Sequence, residues 1–327
     1  MNAVRIGIIG TGNIADRHAV GYLANKDKCE LTAVCNIHRK KAEDFAERFG
    51  VKKIYKDYKR MLKGDVVDAV SICLPNYMHA TATVEALANG KHVLCEKPMA
   101  TNIEDAERMA TEAAKRHLIL YIGFNHRFIP ALFKGKEIIE KLGQPIAVRI
   151  AYGHSLVESL AEKWFSHKAL SGGGTLIDNG VHMIDITRWY FGEVSEVNAQ
   201  IGKYVLSKGD VEDNAIVLLK MRNGAIVSLQ FSWTWWGAAD VIFEAVCKDG
   251  TLRIEGSRLS YYDKEAKMSL MPDLPKMDSW KEETGHFIES VTKGTEPFAT
   301  PNDGLQALKI ALAAYESSQT GKTTKFF

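Results

Sequence analysis

The stretch Val4-Arg5-Ile6-Gly7-Ile8-Ile9-Gly10-Thr11-Gly12-Asn13-Ile14-Ala15 decides the fold. A short apolar run of strand character passes directly into a G-x-G-x-x-A turn, and a helical pattern follows. In that setting Gly10 permits a tight turn, Gly12 lets the backbone approach a pyrophosphate, and Ala15 allows close helix packing, with the helix N-terminus facing the anion. The strand-turn-helix context is what a dinucleotide fingerprint requires, so Gly10, Thr11, Gly12, Asn13 and Ile14 are assigned to dinucleotide binding.

Beyond this stretch, β-branched apolar runs alternate with amphipathic segments. Strands are predicted at Val4 to Ile9, Leu31 to Cys35, Ala69 to Leu74, His92 to Cys95 and Ile119 to Ile122, with helices at Lys40 to Phe49, Ala80 to Ala88 and Asn102 to Arg116. This is the sign of βαβ units, so residues 1–124 are expected to form a doubly wound α/β domain with a parallel sheet. After Gly123 a helix is predicted at Ala131 to Lys141, then period-two strands near Ile146 to Tyr152, Val194 to Tyr204, Ala215 to Met221, Ala225 to Trp235, Val241 to Cys247 and Thr251 to Ile254. Asn223-Gly224 is a two-residue hairpin signal and Asp249-Gly250 another turn signal. Residues 125–327 are therefore expected to be α+β with a largely antiparallel sheet, and a final helix, 303–318, can pack back on either half.

The global numbers narrow the classes. A chain of 327 residues fits two domains at roughly 150 residues each. With 42 Lys and Arg against 40 Asp and Glu, the net charge of +2 supplies no field for nucleic acid or an anionic membrane. Five cysteines without a Cys-x-x-Cys pair argue against a disulfide framework or zinc ribbon and favour a reducing compartment. No apolar run approaches the ~18 residues of a membrane helix, and Arg5, Asn13 and Asp16 interrupt the first apolar stretch, so a cytoplasmic location is expected.

A dinucleotide site commonly places an acidic residue at the end of the second strand, where it binds the adenosine ribose. Here that position is Asn36, followed by Ile37-His38-Arg39-Lys40-Lys41. An amide and cations would accept a 2'-phosphate that a carboxylate would repel, so Asn36, His38 and Arg39 tilt the expectation towards NADP(H) over NAD(H). Solvated residues opening the next helix are the competing reading.

Two further strand ends carry chemistry. Cys73-Leu74-Pro75-Asn76, with His79 opening the next helix, could touch the cofactor or cap that helix. Glu96-Lys97-Pro98 sets a lysine at the carboxyl edge where open α/β sheets bind ligands. Lys97 could transfer a proton or orient a hydroxyl, although a strand-end lysine is commonly a solvated charge. In the second half, Gly172-Gly173-Gly174 leads into Asp178 and His182, four apart and able to share one helical face. A base assembly, a structural pair and a metal set with Asp185 remain open, the last disfavoured because no companion ligands are evident. Phe231-Ser232-Trp233-Thr234-Trp235-Trp236 gathers three of six tryptophans, suited to a core, an interface or a sugar face. Arg127 could reach a substrate or form an ion pair; Tyr152, His154, Trp164 and His167 are further pocket candidates.

Taken in order, these motifs resemble the glucose-fructose oxidoreductase / inositol dehydrogenase / rhizopine-catabolism (Gfo/Idh/MocA) family over essentially the whole chain. The likeness rests on Gly10 to Ala15, Glu96-Lys97-Pro98, Asn125 to Phe128, and Gly172 to His182 running into Asp185. It implies that Lys97 lies beside nicotinamide and substrate, often ahead of a cis proline, with Glu96 among the cofactor contacts. It also implies that His182 is the general acid/base and that Asp178 orients it or binds substrate; Arg127, Tyr152 and Trp164 are assigned to substrate binding as pocket candidates. The second domain would be a large open sheet forming homodimers or homotetramers, which favours the interface reading of the tryptophan strand. The implied activity is NAD(P)-dependent oxidation of a secondary hydroxyl of a sugar, sugar derivative or cyclitol, or the reverse reduction, with no metal. A redox-assisted NAD-dependent glycosidase and a non-catalytic dinucleotide-binding regulator are the alternatives.

Overall fold

The computed structural model describes residues 3–237, 241–265, 267–271, 274 and 277–326. The chain divides into two compact units, Met1–Asn125 with Asp278–Leu305, and His126–Met277 with Gln306–Phe327. Residues 278–305, which the sequence reading assigns to the second domain, cluster with the first unit. The helix Pro301–Thr320 starts in the first unit and continues in the second.

In the first unit six strands, β1 (Val4–Ile9), β2 (Cys29–Cys35), β3 (Lys53–Tyr55), β4 (Ala69–Ile72), β5 (His92–Glu96) and β6 (Leu120–Gly123), form one parallel sheet. Their spatial order is β3-β2-β1-β4-β5-β6, so the winding reverses between β1 and β4 and opens a crevice at the carboxyl ends of those strands. Ile6, Ile8 and Ile9 of β1 and all four residues of β4 are buried, as expected when helices cover both faces of a parallel sheet. The helix Ser279–Lys293, absent from the sequence reading, is capped by Asp278, whose carboxylate accepts from the amides of Trp280 and Lys281. It lies tightly on the helix Asn13–Ala24: a Cβ on Gly21 would fall 2.5 Å from Thr284 Oγ1.

Among its described residues the second unit carries nine strands: β7 (Pro145–Gly153), β8 (Val194–Gly202), β9 (Asn214–Met221), β10 (Ile226–Ser232), β11 (Val241–Cys247), β12 (Gly250–Glu255), β13 (Arg258–Asp263), β14 (Met268–Met271) and β15 (Thr324–Lys325). They run in the order β14-β13-β12-β11-β7-β10-β9-β8-β15, antiparallel except for β7 with β10. One face is covered by the helices Pro130–Ile139 and Val181–Phe191; Tyr190 meets Phe243 of β11 at 4.9 Å between rings. On the other face Ile216, Leu218, Ile226 and Val246 are exposed. The strand predicted over Ala225 to Trp235 ends at Ser232, and Trp233 turns inward to 0% exposure among Val157, Leu160, Ala161, Leu206 and Val211. It is a core residue, which corrects the interface reading for this tryptophan.

Candidate active site

In the first unit the predicted cofactor residues collect along the carboxyl edge of the parallel sheet. Gly10 has φ +98°, and a Cβ there would fall 2.2 Å from the carbonyl oxygen of Cys73, so the turn after β1 and the end of β4 touch through backbone. A Cβ on Gly12 would meet no protein atom within 4 Å, and Gly12 caps the following helix without a side chain. That leaves the positive end of a helix facing space at the position where a pyrophosphate approaches, and the residues present fit a dinucleotide. Asn36 Nδ2 donates to Thr11 Oγ1 at 2.7 Å, and the His38 amide donates to Asn36 Oδ1 at 2.9 Å. The end of β2 is thereby tied to the glycine turn. His38 is exposed, and Arg39 pairs with Glu43 one helical turn on, at 2.5 Å.

Lys97 leaves the end of β5 half-buried, and the Lys97–Pro98 bond is cis. His79 is buried, with Nδ1 and Nε2 each 2.8 Å from a carbonyl oxygen, of Pro98 and Leu74. It braces the Leu74-Pro75-Asn76 turn against the segment carrying Lys97. Glu96, placed among the cofactor contacts by the sequence reading, turns inward: it is 6% exposed, its Oε1 lies 2.8 Å from His18 Nε2, and its Oε2 accepts from the Lys97 amide at 3.2 Å.

In the second unit the glycine run is explained by what packs on it. A Cβ on Gly173 would fall 2.0 Å from Tyr315 Oη, and one on Gly174 would fall 1.8 Å from the carbonyl oxygen of Glu212. The buried Glu212 carboxylate accepts from the amides of Gly174 (3.0 Å) and Leu176 (2.9 Å) and from Tyr315 Oη (2.8 Å). Burial pushes this carboxyl up from its usual range while those donors pull it back. The chain leaves this clamp as a π-helical turn, Leu176–Gly180, before the helix Val181–Phe191 begins. Such turns are frequent at functional sites.

Asp178 stands within the π turn and His182 in the first turn of the helix that follows it. Asp178 Oδ2 accepts from Trp233 Nε1 at 3.2 Å and lies 3.8 Å from His154 Nε2. His182 is buried and stacks on His126 with ring centroids 3.9 Å apart, and Tyr152 meets His126 edge-on at 5.3 Å. Tyr152, His154 and Trp233 thus join the Asp178 and His182 neighbourhood, as does His126, which the sequence reading passed over although it stands beside Arg127 in Asn125 to Phe128. Arg127 is engaged by Asp185, with Nε to Oδ2 at 2.8 Å and Nη2 to Oδ1 at 2.6 Å, both residues buried. This is the ion pair that the sequence left open for Arg127. Trp164 stacks on Phe165 at 3.8 Å, and His167 is exposed.

The chain is similar to known proteins. Residues 4–124 match the sequence model of an oxidoreductase family with an NAD-binding Rossmann fold, and residues 134–253 match the GFO/IDH/MocA C-terminal domain. The chain is 30% identical to myo-inositol 2-dehydrogenase of Thermotoga maritima, with 98% of each chain covered. It is 32% identical to D-glucoside 3-dehydrogenase of Escherichia coli over 70% of each. Among solved structures, levoglucosan dehydrogenase in complex with NADH has the same fold, with a TM-score of 0.93, 22% identity and 99% of each chain covered.

Proposed function

The chain belongs to the GFO/IDH/MocA family of NAD(P)-dependent oxidoreductases, and from that premise we propose that it transfers hydride between nicotinamide and a secondary hydroxyl, or its ketone, of a sugar, sugar derivative or cyclitol. The observation that carries this reading is the alignment of the glycine turn, the Leu74–Asn76 turn and Lys97 on one carboxyl edge of the parallel sheet. When bound, the nicotinamide supplies the hydride acceptor for oxidation or the donor for reduction. In the oxidative direction His182 takes the proton from the reacting hydroxyl oxygen as its carbon gives up hydride. Lys97 serves to orient a hydroxyl or move its proton, and Asp178, which accepts from Trp233, supports His182. Positioned proton transfer of this kind contributes about 10² to 10⁴-fold.

NADP(H) is the preferred cofactor in this reading, supported by the amide at Asn36 and the basic run His38 to Lys41. A second copy of the chain covers the outer face of the nine-stranded sheet. Ile226 pairs with Lys220, and Ser228 with Leu218, so Ile226 and Leu218 stand on one outward face, and an exposed apolar patch of this kind is suited to an interface. The five buried free cysteines suit a reducing, cytoplasmic setting.

The deciding experiment follows nicotinamide absorbance over a panel of sugars, sugar phosphates and cyclitols with both cofactors, with product analysis alongside. Reduction of cofactor with formation of a keto product is expected. A cleaved glycoside with no net change in cofactor would establish the glycosidase, and no turnover with tight dinucleotide binding would establish the regulator. Sedimentation of the wild type and Leu218→Glu tests the oligomer, with the variant expected to be monomeric.

A further inference from the structure

Glu283 takes no part in the chemistry above, yet its carboxyl is fully buried inside the first unit, which also carries Lys97. It lies in the helix Ser279–Lys293 at 0% exposure, and neither carboxyl oxygen has a hydrogen-bond partner among the described residues. His18, Glu96 and Glu283 each bring one donor atom to within 4.8 Å of the other two. The remaining members are engaged: His18 Nδ1 lies 3.0 Å from Ser71 Oγ, Tyr22 Oη lies 2.6 Å from the same oxygen, and Glu96 divides its two oxygens between His18 Nε2 and the Lys97 amide.

Two carboxylates so close in a dry interior cannot both carry charge. Glu96 is the better carrier, because two donors stabilise its anion and Glu283 has none. Burial, and then the charge of Glu96, push the Glu283 carboxyl well above the usual range. The titratable side chains set against it are His18 and Tyr22 from the helix Asn13–Ala24, Cys73 after β4 and Glu96 of β5. Of these, His18 has its Nε2 directed at Glu96 rather than at Glu283.

We propose that Glu283 is a neutral carboxylic acid in the working enzyme and a positioning residue for Lys97, its neutrality leaving Glu96 as the cluster's one anion, with one oxygen on His18 and the other on the Lys97 backbone. The link to turnover rests on the assignment of Lys97 to the reacting centre. When alkali finally ionises Glu283, the second negative charge displaces Glu96, the Lys97 backbone loses its anchor, and turnover falls. Glu283→Gln keeps size and neutrality, so it should hold kcat within about twofold of the wild type at neutral pH and remove that alkaline fall.

The test combines infrared spectroscopy of isotope-labelled glutamate carboxyls with the pH profile of kcat. The expected result is a protonated-carboxyl band at neutral pH in the wild type, missing from Glu283→Gln, and an alkaline limb that the variant lacks. Absence of the band from the wild type, which needs no variant to fold, would overturn the neutral acid. So would a stoichiometric divalent metal in the purified protein, since it would make the three side chains ligands. An alkaline limb unchanged in Glu283→Gln would overturn the coupling to Lys97. The band is read without substrate, so its absence counts against this proposal alone, whereas failure to turn over any substrate counts against the function.

Discussion

The imidazole of His126 lies 3.9 Å from that of His182, tilted by 36°, and fixes the plane of the ring proposed to exchange the substrate proton. A misplacement of about 1 Å in a reacting group can cost roughly 10²-fold in rate. His126→Ala is therefore expected to lower kcat by about ten- to a hundredfold, while His126→Phe, which keeps a flat ring, retains most of it. Steady-state kinetics with the dissociation constant of the cofactor measured in parallel checks this. Equal losses in both variants would mean that the stack does not orient His182.

Lys97→Ala and His182→Ala should each lower turnover by about 10² to 10⁴-fold while leaving cofactor affinity nearly unchanged. Fluorescence titration with the dinucleotide and single-turnover kinetics separate the two quantities. Wild-type turnover in both variants would remove proton transfer by these residues from the mechanism.

Arg127 and Asp185 form a two-bond ion pair inside the second unit, and the helix Val181–Phe191 carries both Asp185 and His182. Removing one partner strands a buried charge, at a cost of about 3–5 kcal/mol. Arg127→Met should lose stability on that scale in urea unfolding, and adding Asp185→Leu should return part of it. Arg127→Lys should remain destabilised, because an ammonium cannot reproduce the planar fork.

How far these features could be read from the chain depends on how local their causes are. The glycine turn, the strand of Lys97 and the paired hairpin at Asn223-Gly224 are set by a few adjacent residues, and their positions stood out in the sequence. The return of Ser279–Lys293 to the first unit was not legible, since its packing partner, the helix Asn13–Ala24, lies at the other end of the chain. The π turn at Leu176–Gly180 is likewise shaped by Glu212, whose carboxylate binds the Gly174 and Leu176 amides from 38 and 36 residues away. Helical spacing therefore brought Asp178 and His182 into view but not their partners, Trp233 and His126. Strand β3 escaped notice because two of its three residues are exposed, which leaves no apolar signal.

Cofactor preference turns on Asn36, whose side chain is held by Thr11 and carries no charge. Asn36→Asp sets a carboxylate at the ribose position, and the Thr11 hydroxyl can turn to donate to it. The hydrogen bonds of a charged acceptor are worth about 1.5–3 kcal/mol, so the ratio of kcat/KM for NADP to that for NAD should fall roughly ten- to a hundredfold. An unchanged ratio would place the selectivity elsewhere than at the end of β2.

His92 gives the clearest dependence of stability on pH. Its Nδ1 accepts from the Ile119 amide at 3.0 Å, a role open only to the neutral ring, and burial holds its pKa below the usual histidine value. In the unfolded chain the ring gains its proton near pH ~6.5, while the folded chain resists it to lower pH. Below that value the unfolded state binds more protons, so stability from this group is complete above it and declines as the pH falls towards the folded value. His92→Asn offers an oxygen to the same amide without titrating. Thermal unfolding of the two proteins from neutral to mildly acidic pH should show the wild type losing more, and parallel curves would rule His92 out as the source of the acid sensitivity.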